Sequence, residues 1–534
     1  MLDLVIHGGR VVDGTGAAAF ATDVGVKVGR IEAVGDLAEA VAAERIDASG
    51  LAVSPGFIDI HQHGDFSLLA CRTAESAVCQ GVTTVVTGNC GHACAPVADG
   101  RADALNVIGR RSEWDVPIDW RTFGEYLERL RTPGVAVNVA PLAGHGAIRV
   151  AAMGFAARSP SAAEKARMLD LVANAMDEGT VGLSSGLEYA PGRHADADEL
   201  IDLCRVVAAR GGIYASHIRN RGHGLVAATD EAIAIAEAAG LPVQISHFAP
   251  RSYTPPGEWD RAMDHIHLAR ARGVEVHVDT FPYEWGPGPV AAMLPSWALE
   301  GTASDVLARL RDGEQRAHMR DGAGTRFALA AKLGLLGENV LVYSRARPEL
   351  VGKTYPEISA LLGRDAYDAI LDVIAAEGED LYNVIGRSHF AHAEELRRLF
   401  REPICMAESD GIVLSPHGPT ADFTFSISDY GWAARLLQRF VREEAVLTLE
   451  DAVRRMTSLP ADKVGLRDRG RIAEGMAADL VVFDPATIED RATFDRPQRS
   501  PAGVRYVFVN GSAVVTTGGP TGALPGRVLR GRRN

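Results

Sequence analysis

Eight apolar runs of strand length, each followed by helical sequence and enclosed by β-rich stretches at both chain ends, predict an α/β protein. The expected fold is a (β/α)8 TIM-type barrel carrying a small β-sandwich domain built from the two termini. Two further observations agree. The polar, ligand-type residues fall at the C-terminal ends of the runs, where such barrels place their sites. The chain is also long enough for a barrel plus a second unit, at 534 residues with 47% hydrophobic and 23% charged residues.

The N-terminal stretches LVIHGGRVVDG, DVGVKVGRIEAVG and RIDASGLAVSPG alternate apolar and polar positions, with glycine at the turns. Near the other end, GRIAEGMAADLVVFDP and VRYVFVNGSAVVTTG repeat the pattern. Residues 1–56 and 466–534 are therefore expected to form one sandwich, because chain ends commonly lie close in space. Between them, 57–465 reads as the barrel. Its eight runs are GFIDIHQH, TTVVTGNCG, VAVNVAPLAGHG, TVGLSSGLEY, GIYASHIRN, PVQISHFAP, VEVHVDTFPYEW and PICMAESDG. Helices such as SAAEKARMLDLVANAMDEG and ADELIDLCRVVAARGG separate them. The seventh and eighth runs lie far further apart than one helix requires, so an insertion is expected at about 285–350, placed to cover the site.

The formal charge of −14 argues against a nucleic-acid partner, which needs a clustered basic footprint. Only the tail arginines Arg527, Arg530, Arg532 and Arg533 cluster, and they read as a solvated end. Six cysteines in so long a chain make no disulfide framework, and no run of about 18 apolar residues marks a membrane span. Without a leader-like N-terminus, the expected setting is the cytoplasm, with a small molecule as partner and self-association compatible with all of this.

The first run ends in His61-Gln62-His63, and strand alternation turns both histidines to the same side. The second ends at Cys90, the fifth at His217, the sixth at His247 and the eighth at Asp410. Taken singly, each has an ordinary reading: a hydrogen-bonded histidine, a buried thiol, a turn aspartate. Together, imidazole, thiolate and carboxylate at matching ends of five strands form a zinc ligand set.

These residues lie in blocks that resemble the D-aminoacylase (N-acyl-D-amino-acid deacylase) branch of the amidohydrolase superfamily. The blocks are PGFIDIHQHGD, GVTTVVTGNCG, AGHGAIR, GTVGLSSGLEYAPG, SHIRN, QISHF, SDG and MTSLPADKVGLRDRGRIAEGMAADLVVFDP, and they cover nearly the whole chain. The resemblance implies hydrolysis of the amide C–N bond of a small molecule, with an N-acyl-D-amino acid as the first candidate. It implies a tightly held zinc on Cys90, His217 and His247, a weaker second metal at His61 and His63, and Asp410 as general base that also touches the second metal. Many other amidohydrolases bridge two metals with a carboxylated lysine. Here Lys27, Lys165, Lys332, Lys353 and Lys463 all lie away from barrel strand ends, and the resemblance assigns the anionic ligand role to Cys90. Tyr189 and Tyr283 follow the fourth and seventh runs and are implied to approach substrate, as oxyanion donor or wall.

The chain departs from the family's pattern where the family grips the substrate α-carboxylate. The position of its lysine after the sixth-strand histidine holds Phe248 and Ala249, and the loop from Gly411 to Trp432 contains no arginine. Arg219 and Arg251 are the candidate replacements. The loop instead offers Phe423, Phe425, Tyr430 and Trp432, which leaves an alternative open: an amidase for a neutral, aromatic or cyclic amide. A non-catalytic binding protein on the same scaffold is the remaining reading, disfavoured by the complete ligand set. His92, in GNCGHACAP, replaces a residue usually apolar in the family; His389, His392 and Glu394, in SHFAHAEELRRLF, read as a surface helix start before the eighth strand, with His389 also able to approach the site from the insertion.

Overall fold

Eight parallel strands close into a barrel in the computed structural model, which describes residues 1–534 apart from 101, 103, 104, 106–113, 322–325 and 532–534. Arg532 and Arg533 of the basic tail thus lie outside the described residues. The strands are Phe57–Asp59, Val82–Thr87, Asn138–Pro141 continued by Ala143–Gly144, Gly182–Gly186, Ile213–His217, Val243–Ile245, Val276–Thr280 and Cys405–Ala407. Each pairs in parallel register with its neighbours from the first to the eighth. The seam between the eighth and first strands is joined just beyond their ends. Ser409 donates through its amide (3.1 Å) and hydroxyl (2.6 Å) to Asp59, and the His63 amide donates to the Gly411 carbonyl at 2.8 Å. These bonds bring the two ends that carry His61, His63 and Asp410 side by side.

The strands are short and nearly continuous in apolar residues because both faces are covered. Ile58, Ile60, Val86, Ala140, Ala215 and Met406 pack inside with Val464 and Leu466, from the segment that follows the barrel in the chain. The outer helices begin where the sequence supplies caps. Ser161 and Glu164 form a reciprocal capping box on Ala162–Glu178, and Asp196 caps Ala197–Ala208.

Both termini build the β layer. A four-stranded sheet comprises Arg30–Gly35, Asp23–Lys27, Leu2–His7 and Ala42–Asp47. A seven-stranded sheet joins N-terminal strands to C-terminal ones, with Leu480–Phe483 antiparallel to Ala52–Pro55. Leu4, Ile6, Val24, Val53, Leu480 and Phe508 share one core between the sheets.

The segment between the seventh and eighth strands is longer than the expected 285–350. It forms a three-stranded antiparallel sheet of Trp285–Pro289, Ile385–His389 and Val340–Tyr343, with helices that include Ala303–Arg311, Tyr355–Leu362 and Ala366–Ala376. The return strand IGRSH is too polar to read as a strand, and the two helices before it resemble barrel helices in pattern. This insertion has its own core of Leu294, Val306, Leu341, Ile358, Ile370 and Ile374. Val150, from the helix His145–Met153, and Phe155 and Ala190, from segments beyond the third and fourth strands, join that core and fix the insertion over the site. Among the described residues, no helix is long and apolar enough to cross a membrane.

Candidate active site

The C-terminal ends of the strands open into a cavity of about 440 Å³, lined by His63, Cys90, His217, His247 and Asp410 on its floor. Cys90 is the hub. Its sulfur lies 3.2 Å from His61 Nε2, 3.3 Å from His247 Nε2 and 3.5 Å from His217 Nδ1. Asp410 Oδ1 lies 3.2 Å from His63 Nε2 and 3.6 Å from His61 Nε2. The ligand atoms fall into groups that lie within 4.8 Å of one another: His61, Cys90 and His247, and then His61, His63 and Asp410. Five of the six residues named from the sequence fall in these groups, with His61 common to both, and His217 joins them through the Cys90 sulfur at 3.5 Å.

The far nitrogen of each imidazole on the sulfur meets a partner of its own. His217 Nε2 is 2.8 Å from Glu188 Oε2, His61 Nδ1 is 3.4 Å from Asp279 Oδ1, and His247 Nδ1 is 3.0 Å from Arg221 Nη1. The carboxylates of Glu188 and Asp279 can accept the N–H of these rings, which orients a metal-ligating histidine and selects the nitrogen turned to the metal; Arg221, a donor only, does not serve His247 in this way. The backbone is bent to the same end. Cys90 (φ 55°), His247 (φ 34°) and Asp410 (φ 43°) all adopt the left-handed region, which costs a non-glycine residue roughly 1–3 kcal/mol. Each lies where a strand must turn sharply to aim its side chain into the cavity.

Electrostatics match a cation-binding centre. Burial alone would push the Cys90 thiol up, but the charges of His61 and His247 and the hydrogen bond with His217 hold it well below the usual thiol range. Asp410 also resists the effect of burial. Its bond with His63 and the charges of His247 and His61 keep it below the ordinary carboxylate value. Burial works against a charged His63, yet Asp410 and Cys90 raise it to about 9. A thiolate, a carboxylate and neighbouring imidazoles packed so closely are the donor chemistry of zinc.

Of the remaining candidates, Tyr189 packs its ring on His217 and His92, and its hydroxyl donates to the Cys90 carbonyl at 2.8 Å. That bond holds the turn carrying the sulfur. Tyr283 does not reach the cavity. Its hydroxyl donates to Asp490 at 2.8 Å, with Arg435 over its ring, because the C-terminal segment offers a carboxylate behind the seventh strand. Phe248 is fully buried and absent from the cavity wall. Arg219 does line the cavity, but Glu231 and the carbonyls of Arg193 and Ala195 hold its guanidinium. Of the four loop aromatics, Phe425 alone lines the wall; Phe423 stacks on Trp114 and Tyr343, while Tyr430 and Trp432 are buried. His389 packs on Trp285 and His392, outside the cavity. His92 does line it, beside His63, and burial drops its pKa to about 3, so it is neutral.

The amidohydrolase family model matches residues 44–515. The chain belongs to the amidohydrolase family. It is 38% identical to the N-acyl-D-glutamate deacylase of Alcaligenes xylosoxydans xylosoxydans, over 99% of this chain and 96% of that protein. Against the D-aminoacylase of the same organism it is 34% identical, over 99% and 97%. Among solved structures, this amidohydrolase superposes with a TM-score of 0.82 and 34% identity on N-acyl-D-glutamate deacylase from Bordetella bronchiseptica complexed with zinc and a phosphonate inhibitor, covering 99% of each chain. Like its relatives, this amidohydrolase is a hydrolase of carbon–nitrogen bonds other than peptide bonds.

Three cavity residues escape a reading of the sequence. Glu188 takes His217 at 2.8 Å, Arg251 at 3.2 Å and Arg221 at 3.7 Å on a single carboxylate oxygen. Arg193 and Arg221 line the wall beside it. The fourth and fifth runs end in LEY and HIRN, and only the loop path beyond them decides which of these side chains turn inward.

Proposed function

We propose that this amidohydrolase is a zinc-dependent deacylase of N-acyl-D-amino acids. The observation that carries the reading is the Cys90 sulfur at the centre of three imidazoles, with Asp410 beside His61 and His63 at the floor of a cavity sized for a small amide. The deacylase relatives, aligned over nearly the whole chain, support the substrate class.

Cys90, His217 and His247 hold the principal ion, with His61 close enough to share it. His61, His63 and Asp410 are the group for a second, weaker one. When bound, zinc supplies Lewis acidity toward the scissile carbonyl. Asp410, kept ionised by its histidine neighbours, accepts the proton of the attacking water and returns it to the leaving nitrogen. Tyr189 and Glu188 keep Cys90 and His217 oriented through the reaction. Phe66, Trp114, Ile412 and Phe425 are apolar residues of the wall that suit the acyl group, and the arginines of the same wall suit an anion.

The test is release of free D-amino acid from an N-acetyl-D-amino acid panel by zinc-loaded protein, with metal content measured on the same sample. Turnover of D but not L substrates, with at least one zinc per chain, is expected. A zinc-loaded protein inert toward the whole panel sinks the reading.

A further inference from the structure

Four arginines line one side of the cavity, on the loops after the fourth, fifth and sixth strands: Arg193, Arg219, Arg221 and Arg251. Their charges are unequally answered. Arg219 is neutralised by a two-pronged bond to Glu231, and its two carbonyl contacts fix the turn of Arg193 and Ala195. Arg221 and Arg251 share the one oxygen of Glu188 that His217 also occupies. Both are only about 5% exposed (5% and 6%). Arg193 follows Tyr189 by one turn, its amide bonded to the Tyr189 carbonyl at 2.9 Å. Its guanidinium has no ion-pair partner among the described residues, and burial disfavours its charged form.

Among the described residues, the guanidinium groups of Arg193, Arg221 and Arg251 line this side of the cavity beside one carboxylate, Glu188. The other acids of the wall, Asp65 and Asp410, belong to the side of His63. A surplus of positive charge in a partly dry wall is costly unless an anion completes it. Guanidinium groups match a carboxylate in planar, paired hydrogen bonds. At the positions where the family resemblance would put the clamp, Phe248 is buried and the loop from Gly411 to Trp432 supplies no arginine.

We propose that Arg193, flanked by Arg251 and Arg221, is the anion subsite that holds the substrate carboxylate. The clamp then lies on the loops after strands four to six and takes no cation from the loop after strand eight. Arg219 is its positioning residue, because it fixes the turn that carries Arg193. Glu188 joins this subsite to the metal centre through His217. The assignment of the anion as the α-carboxylate rests on the deacylase reading.

The experiment is titration calorimetry on zinc-loaded Asp410→Asn protein, in which hydrolysis is silenced. The probes are N-acetyl-D-leucine and its C-terminal carboxamide. The acid should bind at least about tenfold more tightly than the amide, the scale of one charge-assisted hydrogen bond. Arg193→Gln in the same background should erase that preference, and Arg193→Lys should restore part of it. Arg193 is half-buried and has no ion pair within 4.0 Å among the described residues, so neither change removes an ion pair from the fold. Equal binding of acid and amide, or a preference that survives Arg193→Gln, overturns the proposal. Its failure is separable from that of the deacylase reading. Hydrolysis by the wild type without discrimination between acid and amide removes the subsite alone. Carboxylate-dependent binding without hydrolysis removes the deacylase alone.

Discussion

The floor of the cavity is built from residues at the ends of strands, whereas its arginine side is built from loops one turn further on. On the floor, His61, Cys90, His217, His247 and Asp410 project from positions that the barrel's hydrogen bonding and the Ser409–Asp59 seam hold fixed. On the arginine side, position depends on the Arg219 bonds to the turn at Arg193 and on a single glutamate. The difference separates reaction from recognition. A rigid floor holds a metal and a proton carrier in one geometry, and a loop-borne wall can change without disturbing that floor.

Changes to the floor should have the largest effect. Asp410→Asn should lower kcat by about 10²- to 10⁴-fold, the usual contribution of a general acid–base, with the fold intact by circular dichroism and the tight metal retained. A fully active variant removes Asp410 from the mechanism. Glu188→Gln acts at the join between floor and wall. It should weaken zinc by about 10- to 100-fold in a chelator competition, because His217 loses its anionic partner. It should also disturb carboxylate binding, since Arg221 and Arg251 lose their shared counter-charge. A variant altered in only one of these properties would show that the two sides are independent.

The smallest expected effect on catalysis comes from the opposite end of the barrel. Lys463 is buried there, with its ammonium bonded to the Val243 carbonyl, and burial lowers its pKa to about 7. Between about pH 7 and the unfolded lysine value near 10.4, the unfolded chain binds a proton that the folded chain does not, so this residue makes stability rise with pH across that window. Lys463→Met should leave kcat/KM unchanged and flatten that rise, read as urea midpoints at pH 7 and 9.5. A change in kcat/KM would tie the far end to the cavity.

The same division governs how much the sequence discloses. Strand ends are legible because a short, nearly continuous apolar run stops at a definite residue, and His61, His63, Cys90, His217, His247 and Asp410 all lie at or just past such a stop. The wall is not, because nothing local marks whether Glu188, Arg193 or Arg221 turns inward. Tyr283 illustrates the converse. Its place after the seventh strand is right for a substrate contact, but Asp490, more than two hundred residues later, captures its hydroxyl. The end of the insertion is missed for a related reason. The strand IGRSH is defined by pairing with Trp285–Pro289 and Val340–Tyr343, not by its own pattern.

That pairing has a bearing on engineering. Trp285 lies opposite His389, so the insertion leaves the barrel and returns to it at adjacent points. It also carries its own hydrophobic core and lends the cavity the segment Gly286–Pro289. A unit with neighbouring ends, a core that takes only Val150, Phe155 and Ala190 from the barrel, and one face on the cavity is a cassette. It can be exchanged for the corresponding segment of a relative, grafting a new roof onto an unaltered metal floor.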